Sequence, residues 1–150
     1  MRFFILAIVF FVSSCDLIES KEDLEPVPTI LMEKVIEKYP DGSVKAIEEF
    51  ETLEGAQKLY GYKEFYPSGK VKIEGRYNDG KKRDGLWQAY FENGNNWSIG
   101  TYIDGKENGE KKVWYENGKV RYTGQMKEGK PIGEWNVWDE KGNVTTKMYE

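Results

Sequence analysis

The chain has 150 residues, with 22 Lys and Arg against 26 Asp and Glu, no histidine and one cysteine. That length suits a single domain. The missing histidines remove the commonest general base and metal ligand, and a lone thiol excludes an internal disulfide or an all-cysteine zinc site. A net charge of −4 disfavours nucleic acid as a partner, while 16 Gly, 10 Tyr, 7 Phe and 5 Trp point to short strands joined by tight turns.

Met1-Arg2 opens the chain with one positive charge, and Phe3 to Val12 follows as an unbroken apolar run. The run is too short for a spanning helix, which takes about 20 residues, and it fits the apolar region of a secretory signal. Small residues Ser13-Ser14 lead into Cys15. Val12-Ser13-Ser14-Cys15 resembles the lipobox of bacterial lipoproteins. That resemblance implies cleavage before Cys15, a diacylglycerol on its thiol and an acyl chain, palmitate in type, on its new amine. Residues 1–14 are therefore expected to be a helical signal peptide. The stretch 15–29 is expected to be the lipidated cysteine and a charged, proline-containing tether (DLIESKEDLEPVPT). The implied location is the bacterial cell envelope, anchored by lipid, with inner and outer membrane both open. Asp16 resembles an inner-membrane retention signal of enterobacterial lipoproteins.

Residues 30–150 are self-similar, which outranks any single motif. Gly69, Gly94, Gly118 and Gly142 are spaced 25, 24 and 24 residues apart, and three further glycine series (Gly75, Gly100, Gly124; Gly80, Gly105, Gly129; Gly85, Gly109, Gly133) run in phase with them. The units are 61–85, 86–109, 110–133 and a truncated 134–150, preceded by a degenerate repeat over 30–60 that keeps Tyr39, Pro40 and Gly42. Its start, Ile30-Leu31-Met32, reads either as strand or as a short helix. The extra residue of the first full unit falls in Lys81-Lys82-Arg83-Asp84, a loop able to absorb it. Each unit reads as two strands and two turns. Asn93-Gly94 and Asn117-Gly118 are read as type I′ hairpin turns, which need positive φ at both central residues. In Val71-Lys72-Ile73-Glu74-Gly75-Arg76-Tyr77 the apolar positions alternate with charges, and Gly75 leaves room for an aromatic of the next strand. Trp87 and Tyr90, like Trp135 and Trp138, are three apart. A bulge is expected to bring each pair onto one face.

The unit Gly85-Leu86-Trp87-Gln88-Ala89-Tyr90, Asn93-Gly94, then Gly100-Thr101-Tyr102-Ile103-Asp104-Gly105-Lys106 and Gly109, resembles the MORN repeat in its shorter bacterial form. Lys111 in place of the repeat tryptophan and Met126 in place of the tyrosine depart from it. The resemblance covers roughly 60–150. It implies an all-β fold, an elongated, twisted antiparallel meander of repeated hairpins in which each repeat packs on its neighbours. Bacterial proteins of this kind are labelled YwqK-like and in some cases antitoxin components; eukaryotic MORN proteins are linked to phospholipid headgroups and scaffolding.

These features point to a membrane-anchored, non-enzymatic module for protein interaction or scaffolding. Trp87, Tyr90, Trp114, Trp135 and Trp138 are its candidate binding aromatics. Taken singly, each tryptophan reads first as filler of the sheet's apolar side, because stacked repeats need that core. The alternatives are headgroup or glycan binding, with aromatics on sugars or Lys81-Lys82-Arg83 and Lys111-Lys112 on phosphates, and an antitoxin-like neutralising partner. No catalytic residue, cofactor or metal is expected: the acids Asp79, Asp104 and Glu128 recur at turns, where a turn role explains them. The expected partners are a membrane through acylated Cys15, an unidentified protein and, through the edge strand after Gly142, a second copy of the chain.

Overall fold

The computed structural model of the protein describes residues 31–150 apart from Glu54; the expected signal peptide, Cys15 and the tether lie outside the described residues. The described chain is all β. Ten strands follow one another: β1 (Leu31–Lys38), β2 (Val44–Leu53), β3 (Ala56–Phe65), β4 (Val71–Tyr77), β5 (Arg83–Tyr90), β6 (Asn96–Ile103), β7 (Lys106–Trp114), β8 (Val120–Lys127), β9 (Lys130–Trp138) and β10 (Val144–Tyr149). They form one sheet in the order β1 to β10, and substantial contacts run only between consecutive strands. The meander of hairpins expected from the repeat is the observed architecture. Leu31 and Met32 belong to β1, so strand and not helix forms there.

Two kinds of turn alternate. In the first, Gly69 N–H donates to Tyr66 O at 2.9 Å and Tyr66 N–H to Lys70 O at 2.8 Å, with Gly69 at φ +80°. The loops at Gly42, Gly94, Gly118 and Gly142 repeat this pattern. Among the described residues only Lys81, Asp104 and Glu128 are non-glycines with positive φ, so Asn93 and Asn117 are not left-handed. The type I′ reading of these turns is thereby corrected. They are three-residue loops, a type I turn closed by a left-handed glycine, which suits Pro67 at its second position. The I′ conformation belongs to the other turns, Asp104-Gly105 (φ +50°, +86°) and Glu128-Gly129 (φ +51°, +80°). The extra residue of the first full repeat converts its equivalent of these into the longer class. There Lys81 N–H donates to Asn78 O at 2.9 Å, and Lys81 at φ +57° takes the left-handed position that Gly80 leaves one place too early.

One face carries a row that alternates bulk with space. Tyr62 pairs with Gly75, Gly75 with Trp87, Trp87 with Gly100, Gly100 with Lys111 and Lys111 with Gly124. A Cβ at Gly75 would lie inside the Trp87 indole, and one at Gly124 inside that of Trp135. The core is correspondingly thin: Ala46, Ile47, Trp87, Ala89 and Val113 are its buried apolar residues. Truncating a core aromatic to Ala costs about 3–5 kcal/mol, so one indole is a large part of what holds this sheet.

The bulges fall elsewhere than expected. Two extra residues in β5, at Gly85 (φ +69°), precede Trp87, and the shift between Ala89 and Tyr90 places the extra residue, Trp97, in the partner strand β6. Trp87 and Tyr90 therefore stay on opposite faces. The Tyr90 hydroxyl donates to Glu74 Oε1 at 2.9 Å, and Glu74 pairs with Gln88, one register step from the Gly75–Trp87 pair. Period-two alternation wins because no insertion separates the two aromatics within β5.

Candidate functional site

Trp87 is the best-enclosed of the five candidate aromatics, at 3% exposure. Its indole meets Tyr62, Tyr77 and Tyr102 at 6.3, 5.4 and 6.3 Å between centroids, its Nε1 donates to Arg76 O at 3.0 Å, and the Arg83 guanidinium sits 4.0 Å from its ring. Trp135 repeats the arrangement over Gly124, between Tyr122 and Tyr149. Partial burial raises the phenols of Tyr62, Tyr77 and Tyr102 above their ordinary range, because tyrosinate is less well hydrated there than in open water. Tyr90, Trp114 and Trp138 lie on the other face. Trp114 has Lys112 Nζ 5.2 Å from its ring, and Trp138 borders a depression with Lys112, Val120 and Thr123. The five aromatics thus divide between two faces and form no single site.

The two long edges of the sheet differ in chemistry. On one, three of the five three-residue turns begin with a tyrosine whose hydroxyl clasps the next repeat: Tyr39 donates to Phe65 O at 2.7 Å, Tyr66 to Tyr90 O at 2.8 Å and Tyr115 to Trp138 O at 2.8 Å. An extra residue in the following strand reaches back over that ring. Lys45 lies over Tyr39, Lys72 over Tyr66 and Arg121 over Tyr115, at 5.9, 6.0 and 5.6 Å. At one corner both roles change: Phe91 lacks the hydroxyl, and the extra residue is Trp97, 44% exposed and 6.2 Å from the Phe91 ring. Between this corner and the next lies a cleft of about 610 Å³ bordered by Phe91, Trp97, Trp114, Tyr115, Glu116 and Arg121. On the opposite edge the turns are ionic. Lys82 pairs with Asp104 at 3.0 Å and Lys106 with Glu128 at 2.8 Å, and the Gly105 and Gly129 N–H groups donate to Arg83 O and Glu107 O. Lys82 and Asn78 hold the Asp104 carboxyl below the usual carboxylate range. Among the described residues no cluster of three His, Cys, Asp or Glu side chains is placed to hold a metal ion.

A family model described as a MORN repeat variant matches residues 62–79, 83–104 and 107–128. These segments are MORN repeats. Among curated proteins, a sequence comparison finds no match. Solved structures similar to the chain include the following. One is a chain of the GtfA/B complex bound to UDP and GlcNAc, 10% identical over 83% of this chain and 25% of that one, with a TM-score of 0.31. Another is a DUF3836 family protein from Parabacteroides distasonis, 15% identical over 79% of this chain and 88% of that one, with a TM-score of 0.24. The present chain spans a quarter of the first of these.

Within the MORN row, Lys111 has an explanation. It stands at the tryptophan position and pairs with Glu107, which also accepts from the Tyr102 hydroxyl at 3.0 Å; the two charged side chains are 18% and 17% exposed. Glu107 occupies the place that Arg83 holds in the repeat before, two residues ahead of the left-handed glycine. Arg83 over Trp87 and Lys111 with Glu107 are thus two solutions to one position. Trp97 is the residue that sequence reasoning passed over. Its signal was available: Lys45, Lys72 and Arg121 share its place in the repeat, and it alone among them is uncharged.

Proposed function

We propose that the protein is a non-enzymatic interaction module of the bacterial cell envelope, held to a membrane by acyl chains on Cys15 and offering its MORN sheet to a protein partner. The observation that carries this reading is the single layer. Among the described residues, one sheet of ten strands, with substantial contacts only between consecutive strands, leaves two broad faces and the edges of β1 and β10 for other molecules. On the face opposite Trp87, Leu86 and Ile103 are 47% and 59% exposed, as a docking surface requires. The lipobox-like Val12-Ser13-Ser14-Cys15 supports the anchor, since two or more acyl chains give stable attachment where one gives only marginal binding.

Palmitate labelling tests the anchor: the wild-type chain is expected to take up label and sediment with membranes, and Cys15→Ala to do neither. Crosslinking in intact cells tests the sheet, with recovery of one envelope protein expected from the wild type and its loss from a Leu86→Asp, Ile103→Asp double variant. A wild-type chain that stays soluble and unlabelled contradicts the anchor. A crosslinking pattern indifferent to the double variant contradicts the docking face.

A further inference from the structure

We infer that the cleft between Trp97 and Arg121 is a saccharide-binding site. The inference goes beyond the docking function, and it holds whether or not Cys15 is acylated. Its starting point is a local rule that the sequence breaks at one corner. Tyr39, Tyr66 and Tyr115 each give a hydroxyl to the carbonyl preceding the next turn, a contact that stabilises the corner. By the same register Phe91 faces the carbonyl of Trp114 and has no hydroxyl to give it. In the same corner Trp97 replaces a cation and stands out into solvent. A sheet selected only for stability would keep the clasp and the cation; abandoning both to expose an indole marks a functional position.

The chemistry around that indole selects the ligand class. Trp97 and Trp114 supply aromatic faces, which suit the C–H faces of a pyranose ring. Arg121, whose guanidinium is a five-fold donor, and Glu116 and Glu140, whose carboxylates are acceptors, also border the cleft. Among the described residues none of these three charged groups takes part in an ion pair with another side chain. Donors and acceptors interleaved beside flat apolar faces match hydroxyl groups, which both give and accept hydrogen bonds. Two carboxylates against one guanidinium repel a phosphate or other anion. A peptide's apolar anchor needs a desolvated pocket, and this cleft is bordered by exposed charged residues. Its volume of about 610 Å³ lies within the range of small-ligand sites.

Isothermal titration of the full chain with maltotriose, cellotriose and chitotriose tests the assignment. At least one of the three is expected to bind saturably with a Kd of about 1 mM or tighter. Trp97→Ala and Arg121→Gln are each expected to weaken it at least about tenfold, the loss of about 1.4 kcal/mol. Trp97→Phe keeps part of the affinity, and Met148→Ala, outside the cleft, binds as the wild type does. If Trp97→Ala disturbs the sheet by circular dichroism, Trp97→Phe and Arg121→Gln decide. Failure of all three sugars to bind overturns the inference, as does binding that the cleft variants leave unchanged. Neither result bears on palmitate labelling or on the crosslink through Leu86 and Ile103, so the two proposals fail separately.

Discussion

At the scale of the residue, the glycines of the central row do different jobs that their shared phase conceals. Gly75 and Gly124 lie under indoles, and an added methyl group would overlap ring atoms that have nowhere to go. Gly100 faces the flexible ends of Glu107 and Lys111, at 3.0 and 3.4 Å from a hypothetical Cβ. Gly75→Ala and Gly124→Ala are expected to destabilise the protein by about 1–3 kcal/mol each, the usual cost of overpacking. Gly100→Ala should cost clearly less, because the ion pair can shift. Urea unfolding of the three variants checks the order, and equal losses would show that the indoles do not set the requirement.

At the scale of the element, the hairpin corners are held by side chains reaching into the next repeat. Removing the Tyr66 hydroxyl leaves the carbonyl of Tyr90 without its donor. Tyr66→Phe is expected to lower stability by about 0.5–1.5 kcal/mol, and Phe91→Tyr to raise it by about as much, through a new bond to Trp114 O. Thermal melts of both variants test the pair of opposite signs. The sequence showed these corners only in part. Repeat length, turn positions and the glycine–aromatic alternation were legible because each is a periodicity of residue type. The clasp was not, since nothing in a tyrosine's position says which carbonyl its hydroxyl reaches. The conformation of the Asn-Gly turns was misread for a related reason. Asn-Gly favours type I′ in a two-residue loop, but loop length follows from where the flanking strands pair, and here the pairing leaves three residues. The face of Tyr90 was misread because an extra residue counts only against the partner strand, and the one beside Ala89 lies in β6.

At the scale of the whole molecule, the absence of histidine shapes the response to pH. Asp41, Asp104 and Asp139 have carboxyls held below the usual range by Ser43, Lys82 and Asn143 respectively, so the stability they contribute is present above their unfolded values and lost as pH falls through the folded ones. Tyr62, Tyr77 and Tyr102 are raised by burial, and Lys63 and Lys72 by bonds to Glu49 and Glu64. Their contribution is complete below the unfolded values and fades as pH climbs past about 10. Urea midpoints are therefore expected to be flat between about pH 5.5 and 9 and to fall on both sides. A step near neutrality would contradict this.

If each repeat is supported only by its neighbours, stability is a sum of local terms, and a whole unit can be removed without destroying the rest. Excising residues 110–133 joins Gly109 to Glu134 in phase and sets Trp135 opposite Gly100, which restores the aromatic–glycine alternation that Lys111 interrupts. Equilibrium urea unfolding of this shortened chain, followed by circular dichroism, is the most direct test of the fold on which every site rests. A retained β signature is predicted, with one cooperative transition and a shallower denaturant slope in keeping with the smaller surface. A chain with no transition at all would show that the repeats depend on contacts beyond their neighbours and would contradict the account.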